Sequence, residues 1–121
     1  MAVKDLREWI ARLDQEGELR RITTEVDWNG EIGAVTRKVY SKNGPALLFE
    51  NIKGYKNTIS TKLFTGGVAT KDRIAMMLDM PRQTKHRDLV EVVRQRAKKP
   101  IEPVMVKTGP AKENILKGDK I

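Results

Sequence analysis

One histidine and no cysteine in 121 residues set narrow limits on the chemistry open to these side chains. Without a thiol there is no cysteine nucleophile, no disulfide scaffold, no iron–sulfur cluster and no cysteine zinc site. A single histidine excludes histidine-pair metal sites and the HExxH arrangement. That residue, His86, lies among Arg82, Lys85 and Arg87. Neighbouring cations disfavour an imidazolium, so the expected role is a surface histidine in a basic linker.

Three further patterns invite a chemical reading. In Thr65-Gly66-Gly67-Val68-Ala69-Thr70-Lys71 a glycine-rich turn precedes a helix, where free amides can meet an anion. The glycines are adjacent and Lys71 is not followed by Ser or Thr, so the GxxxxGK[ST] spacing fails and a strand-to-helix turn is expected. Asp27 and Glu31 sit four apart at a helix start, where the helix dipole favours carboxylates without any acid–base role. Trp9 belongs to an apolar helix stripe and reads as core. Trp28 precedes a helix and is expected to staple its first turn. Neither tryptophan is interleaved with basic residues as in a single-strand nucleic-acid platform. Residue types and spacing alone therefore assign no catalytic, cofactor-binding or metal residue.

The elements that would position these groups can be read from periodicity. Leu6, Trp9, Ile10 and Leu13 form one stripe of a helix, with Asp5 placed to cap it and Gly17 to end it. Glu18 to Val26 reads as extended. A second helix is predicted from about Glu31 to Ser41, with Ile32, Val35, Thr36 and Val39 inward. Asn43-Gly44-Pro45 is a turn, and the continuous apolar run Ala46-Leu47-Leu48-Phe49 is a strand buried on both faces. Asn51 to Asn57 reads as loop, and Thr58 to Phe64 as a second strand. Thr70 caps a third helix with Ile74, Ala75, Met77 and Leu78, closed by Pro81. A fourth helix spans about Asp88 to Lys98, with Leu89, Val92, Val93 and Ala97 inward. Val104-Met105-Val106 is a brief strand. The order α-β-α-β-β-α-α-β predicts a small α+β (α/β-like) domain, a mixed β-sheet flanked by helices.

Composition bounds the partners. Hydrophobic residues make up 39% and charged residues 33%, enough apolar content for a core and against wholesale disorder. No run approaches the roughly 18 apolar residues of a membrane span, and no apolar signal-peptide core follows the start, so the cytoplasm is the expected compartment. The net charge of +8 is uneven. Residues 1–60 hold ten basic and nine acidic side chains, and residues 61–121 hold fourteen and seven. The surplus between Arg82 and Lys99 fits nucleic acid or another polyanion, a solvated helix face, or contact with an acidic partner surface.

Several segments together resemble the UbiD family of reversible decarboxylases. The similarity runs through Asp5-Leu6-Arg7-Glu8-Trp9-Ile10, Gly17-Glu18-Leu19, Glu25-Val26-Asp27 and Glu31-Ile32-Gly33-Ala34-Val35-Thr36-Arg37. Its most specific part is Gly44-Pro45-Ala46-Leu47-Leu48-Phe49-Glu50-Asn51-Ile52-Lys53-Gly54, a signature run of that family's N-terminal domain. Leu63-Phe64 leading to Arg73-Ile74-Ala75 also fits. Pro100-Ile101-Glu102-Pro103-Val104, Gly109-Pro110-Ala111-Lys112-Glu113-Asn114 and Gly118-Asp119 match the approach to the family's central domain. Two departures stand out: Lys62 to Thr70 replaces an Asn-Leu-Phe-Gly-Ser/Thr-type run, and Ala111 stands where relatives often carry cysteine.

The resemblance implies an N-terminal domain over residues 1–108 and, over 109–121, the start of a connection into a central cofactor-binding domain. It implies a complete enzyme that removes or adds carboxylate on an aromatic or α,β-unsaturated acid. That enzyme would use prenylated FMN as electron sink, with Mn2+ and K+. The family's Glu-Arg-Glu catalytic set and its cofactor and metal ligands would lie downstream, so none transfers to a position here. This chain would then be an inactive scaffold and assembly portion. Its partners would be the remaining domains or a separate catalytic subunit, with a homo-oligomer as the complete form. A basic module for nucleic acid and an accessory subunit remain as alternatives.

Overall fold

The computed structural model describes residues 3–115, 117 and 118. Its elements are α1 (Leu6–Gln15), β1 (Leu19–Ile22), α2 (Glu31–Tyr40), β2 (Ala46–Phe49), β3 (Leu63–Thr65), α3 (Lys71–Met77) and α4 (His86–Ala97), followed by a 3₁₀ turn at Pro110–Lys112. The α+β class, with a mixed sheet and flanking helices, is as expected.

Local chemistry sets the element ends. The Asp5 carboxylate accepts from the Glu8 amide at 2.8 Å and starts α1. At its other end Gly17 adopts φ +70°, and the Glu18 and Gly17 amides donate to the carbonyls of Leu13 and Asp14, the paired closure that a left-handed glycine permits. Thr70 caps α3 by accepting from the Arg73 amide at 3.3 Å.

The sheet order is β1-β2-β3. β1 and β2 run parallel, Leu19 opposite Ala46 and Ile22 opposite Phe49, with α2 as their crossover. β3 returns antiparallel, Leu47 opposite Thr65 and Phe49 opposite Leu63. All four residues of the central strand are buried. Successive side chains point to opposite faces of a strand, and two core clusters result. Leu47 and Phe49 pack with Val26, Ile32 and Ile52. Ala46 packs with Trp9, Leu13 and Met76. Each fully buried large apolar side chain contributes about 1.5–3 kcal/mol.

Three expectations, on the second strand, on α4 and on residues 104–106, are corrected. The strand from Thr58 begins only at Leu63, because residues 58–62 lie beyond the end of β2 and have no partner on that edge. On α3, as the Thr70 cap sets it, the buried face is Arg73, Ala75 and Met76, while Met77 is exposed. On α4 Leu89 is buried and Val92 half-buried, whereas Val93 and Ala97 are exposed. Residues 101–106 form no strand, and Val104, Met105 and Val106 are exposed, since a lone strand cannot pair its backbone groups.

The β1–β2 seam carries an ionic tie. Arg21 meets Asp14 at 2.7 Å and Glu50 at 3.1 Å, and Lys62 donates to the same Glu50 oxygen at 2.7 Å. Lys62 first, then Arg21, hold the Glu50 carboxyl below the usual glutamate range. A carboxyl whose pKa is depressed by folding adds stability above its unfolded pKa and loses it as pH falls through the folded one. Urea midpoints for the unaltered chain should therefore fall on acidification below the ordinary glutamate pKa, and Glu50→Gln should flatten that limb. Identical slopes for the two chains would show that the tie contributes nothing.

Candidate functional site

The groups with chemical potential meet where the start of β1, the α2–β2 turn and the β3–α3 turn converge. Arg73, on the inner face of α3, is 1% exposed. Its Nε donates to the Gly66 carbonyl at 3.0 Å. Its Nη1 donates to the Gly44 carbonyl at 3.0 Å and to Glu18 Oε2 at 3.1 Å. Glu18 Oε1 accepts from Arg82 Nη1 at 2.9 Å, and Arg82 Nη2 reaches Glu16 at 3.1 Å. The arrangement is an alternating chain of cation and carboxylate that joins two turns, the α1–β1 junction and the segment before α4. A guanidinium can be buried here because it is paired and hydrogen-bonded.

Beside this network lies a cleft of about 530 Å³ with Glu18, Asn43, Thr70, Lys71, Asp72 and His86 in its wall. Its polar groups are mostly committed. Glu18 is held by two arginines, the Thr70 hydroxyl is spent on the Arg73 amide, and Lys71 lies 3.7 Å from Asp72. The glycines of the preceding turn have a packing reason. Gly66 has φ +79°, and a Cβ there would sit 2.8 Å from the Tyr40 ring; a Cβ on Gly67 would sit 2.8 Å from the Phe64 ring and 2.9 Å from Trp9 Nε1. The turn is a strand-to-helix connection, as its spacing predicts.

The other residues singled out by sequence resolve in the same structural sense. The Asp27 amide donates to Glu31 Oε2 at 2.7 Å, and Asp27 Oδ1 accepts from the Asn29 amide at 2.9 Å. That amide bond, helped by Lys53, holds the Asp27 carboxyl below its usual range. The pair therefore fixes the entry to α2, whose cap residue Gly30 offers no side chain. Trp9 is core. Trp28 is more than half exposed and borders a cleft of about 240 Å³ with Ile52, Tyr55 and Leu63; it is not buried against the helix start. His86 is exposed and begins α4, so it belongs to a helix and not to a linker. Within the basic stretch, Arg82 pairs with two glutamates, Arg94 lies 3.6 Å from Glu91, and Arg96 donates to the Leu78 carbonyl at 2.8 Å.

The fit to a flavin or metal is poor among the described residues. No three His, Asp or Glu side chains group in a way that could hold a metal ion. Two apolar clefts, at about 210 and 240 Å³, are below the roughly 300–1,000 Å³ of ligand pockets; a third, of about 690 Å³ along Gln95, Arg96, Lys99, Pro100 and Ile101, is lined only by exposed residues and encloses nothing. The cleft beside Glu18 has carboxylates in its wall, the wrong charge for a flavin phosphate. No step of a flavin reaction can be derived from these side chains.

Arg73 and Glu18 are the residues that sequence reasoning missed as a pair. One signal was available: Thr70 fixes the helix start, which puts positions 73 and 76 on one inward face. Without Arg73 the Glu18 carboxylate keeps Arg82, but the Gly44 and Gly66 carbonyls lose their donor, and an unmade buried hydrogen bond costs about 1–3 kcal/mol. Arg73→Met should therefore lower the urea-unfolding free energy by at least about that amount. Arg82→Met, at a half-exposed pair, should cost only about 0–1 kcal/mol. Equal small losses for both would remove Arg73 from its central position.

Comparison with known proteins follows the same collinear pattern. Residues 10–93 match the family model of the 3-octaprenyl-4-hydroxybenzoate carboxy-lyase N-terminal domain. The pyrrole-2-carboxylic acid decarboxylase of Pseudomonas aeruginosa is 32% identical over 126 residues, covering 97% of this chain and 25% of the relative. The vanillic acid decarboxylase of Sedimentibacter hydroxybenzoicus in closed form superposes with a TM-score of 0.74 at 36% identity, over 98% of this chain and 25% of that one. An evolved dimeric form of the UbiD-class enzyme HmfF from Pelotomaculum thermopropionicum, in complex with prFMN, superposes at 0.68 and 28% identity over 83% of this chain and 21% of that one. The chain thus spans about a quarter of the length of its curated relatives.

Proposed function

Since the chain belongs to the UbiD family by its N-terminal domain, we propose that it is the scaffold and assembly portion of a complete carboxy-lyase acting on an aromatic or α,β-unsaturated acid. In this reading residues 1–108 form the domain and 109–121 begin the connection to a central cofactor domain. The complete protein holds prenylated FMN with Mn2+ and K+ outside this chain, and the flavin supplies the electron sink for loss or gain of carboxylate. Its working form is a homo-oligomer in the cytoplasm; among the described residues no helix is long and apolar enough to cross a membrane.

The observation that carries this reading is the likeness of nearly the whole chain to about a quarter of decarboxylases named for aromatic acids, matched through their family's N-terminal domain. The described side chains support it from the other direction. Arg73, Glu18 and Arg82 tie turns together, as in a scaffold. The basic stretch from Arg82 to Lys99 gives less support to a polyanion module, because Arg82, Arg94 and Arg96 already serve protein acceptors.

The test is an assay of CO2 release from pyrrole-2-carboxylate, vanillate and a panel of α,β-unsaturated acids. The complete protein, reconstituted with prenylated FMN, Mn2+ and K+, should turn over at least one of them. The 121-residue chain under the same conditions should turn over none. Turnover by the short chain, or none by the loaded complete protein, would overturn the proposal.

A further inference from the structure

We infer that the outer face of α4 docks onto an apolar stripe edged with carboxylates, carried by the part of the complete protein that follows this domain. The inference rests on the functional reading above for the existence of that larger body, and on the geometry of α4 for the rest.

The inner side of α4 is fastened by buried Leu89 and by Arg96, which donates to the Leu78 carbonyl. At about 100° per residue, Val90, Val93 and Ala97 fall on the adjoining strip. They are exposed, Val90 at 67% and Val93 at 51%. With Ile74, His86 and Leu89, the two valines line an almost wholly apolar groove of about 210 Å³. Beyond that strip, Arg87, Arg94 and Lys98 follow at i, i+7 and i+11 and form a basic edge. Among the described residues, no carboxylate lies within ion-pair distance of Arg87 or Lys98. An apolar strip beside a row of cations is the shape of an interface that has not met its partner.

Charge selects the occupant. A second copy would set Arg87, Arg94 and Lys98 against the same three cations in a chain of net charge +8, and like charges brought together at an interface cost several kcal/mol. The complement must therefore be acidic. Position argues that it comes from the same protein. The polypeptide leaving α4 carries Ile101, Val104 and Met105, exposed at 97%, 85% and 92%, so whatever covers those side chains begins next to the end of α4. The relatives have about three times as much further chain from which to build it. A nucleic acid would answer the basic edge alone and leave the valines in water.

The experiment is hydrogen–deuterium exchange on the complete protein and two variants. Val90→Gln/Val93→Gln removes the apolar strip with residues of good helix propensity. Arg87→Glu/Arg94→Glu reverses the basic edge. In each, amides of residues 86–98 should exchange at least tenfold faster than in the unaltered protein, with α1 and β2 unchanged as the control for folding, while Arg87→Lys/Arg94→Lys keeps the original rates. Unchanged exchange in the valine variant overturns the inference. So does a change confined to the charge reversal, the pattern of a polyanion site, or conversion of an oligomer to monomers by the valine variant, the pattern of a second copy. Catalysis is not the readout. A protein that releases no CO2 but shows both tenfold rises keeps the docking face and loses only the functional reading.

Discussion

The burial of β2 on both faces is the constraint from which the rest of the molecule follows. Ala46, Leu47, Leu48 and Phe49 leave water no access to the strand, so each side of the sheet needs a helical layer and each edge a partner strand. α2 covers one side because the parallel β1–β2 pair requires a crossover, and α1 with α3 covers the other. A three-stranded sheet this small has little area to spare. Its turns must be held at fixed places, and that is where the polar groups are used. Arg73 fastens the two turns that flank the sheet by their carbonyls, and Glu18 links that arginine to Arg82. Replacing this node by apolar groups would keep the burial and lose the tie between turns.

Most of this was legible in the residues. The run Ala46-Leu47-Leu48-Phe49 announces a doubly buried strand, and Asp5, Gly17 and Thr70 mark helix ends through cap chemistry that needs only neighbours in sequence. The errors share a cause. Predicted strands at Thr58 to Phe64 and Val104 to Val106 have the right composition, but a strand exists only where another backbone can pair with it, and composition does not report that. The inward face of α4 was drawn too wide, because Val93 and Ala97 have the hydropathy of a core without a core beside them. Arg73 went unnoticed for the converse reason: a charged residue counts as exposed until a glutamate and two carbonyls are seen around it.

The site follows the same division. Sequence chemistry excludes thiol and histidine-pair machinery, and the structure gives two of the remaining candidates a scaffolding role: Asp27 and Glu31 shape a helix entry, and Gly66 and Gly67 make room for aromatic rings. In the function proposed for it, this domain of the UbiD family holds together a larger enzyme whose chemistry is done elsewhere. In that proposal its unmatched surfaces, the strip on α4 and the apolar residues after it, meet the rest of the complete protein.

The intact mass of the polypeptide that carries this domain in its native cells, detected with an antibody raised against it, tests that claim most directly. A species several times larger than 13.8 kDa is expected. A native species at 13.8 kDa, with no larger form, would contradict it.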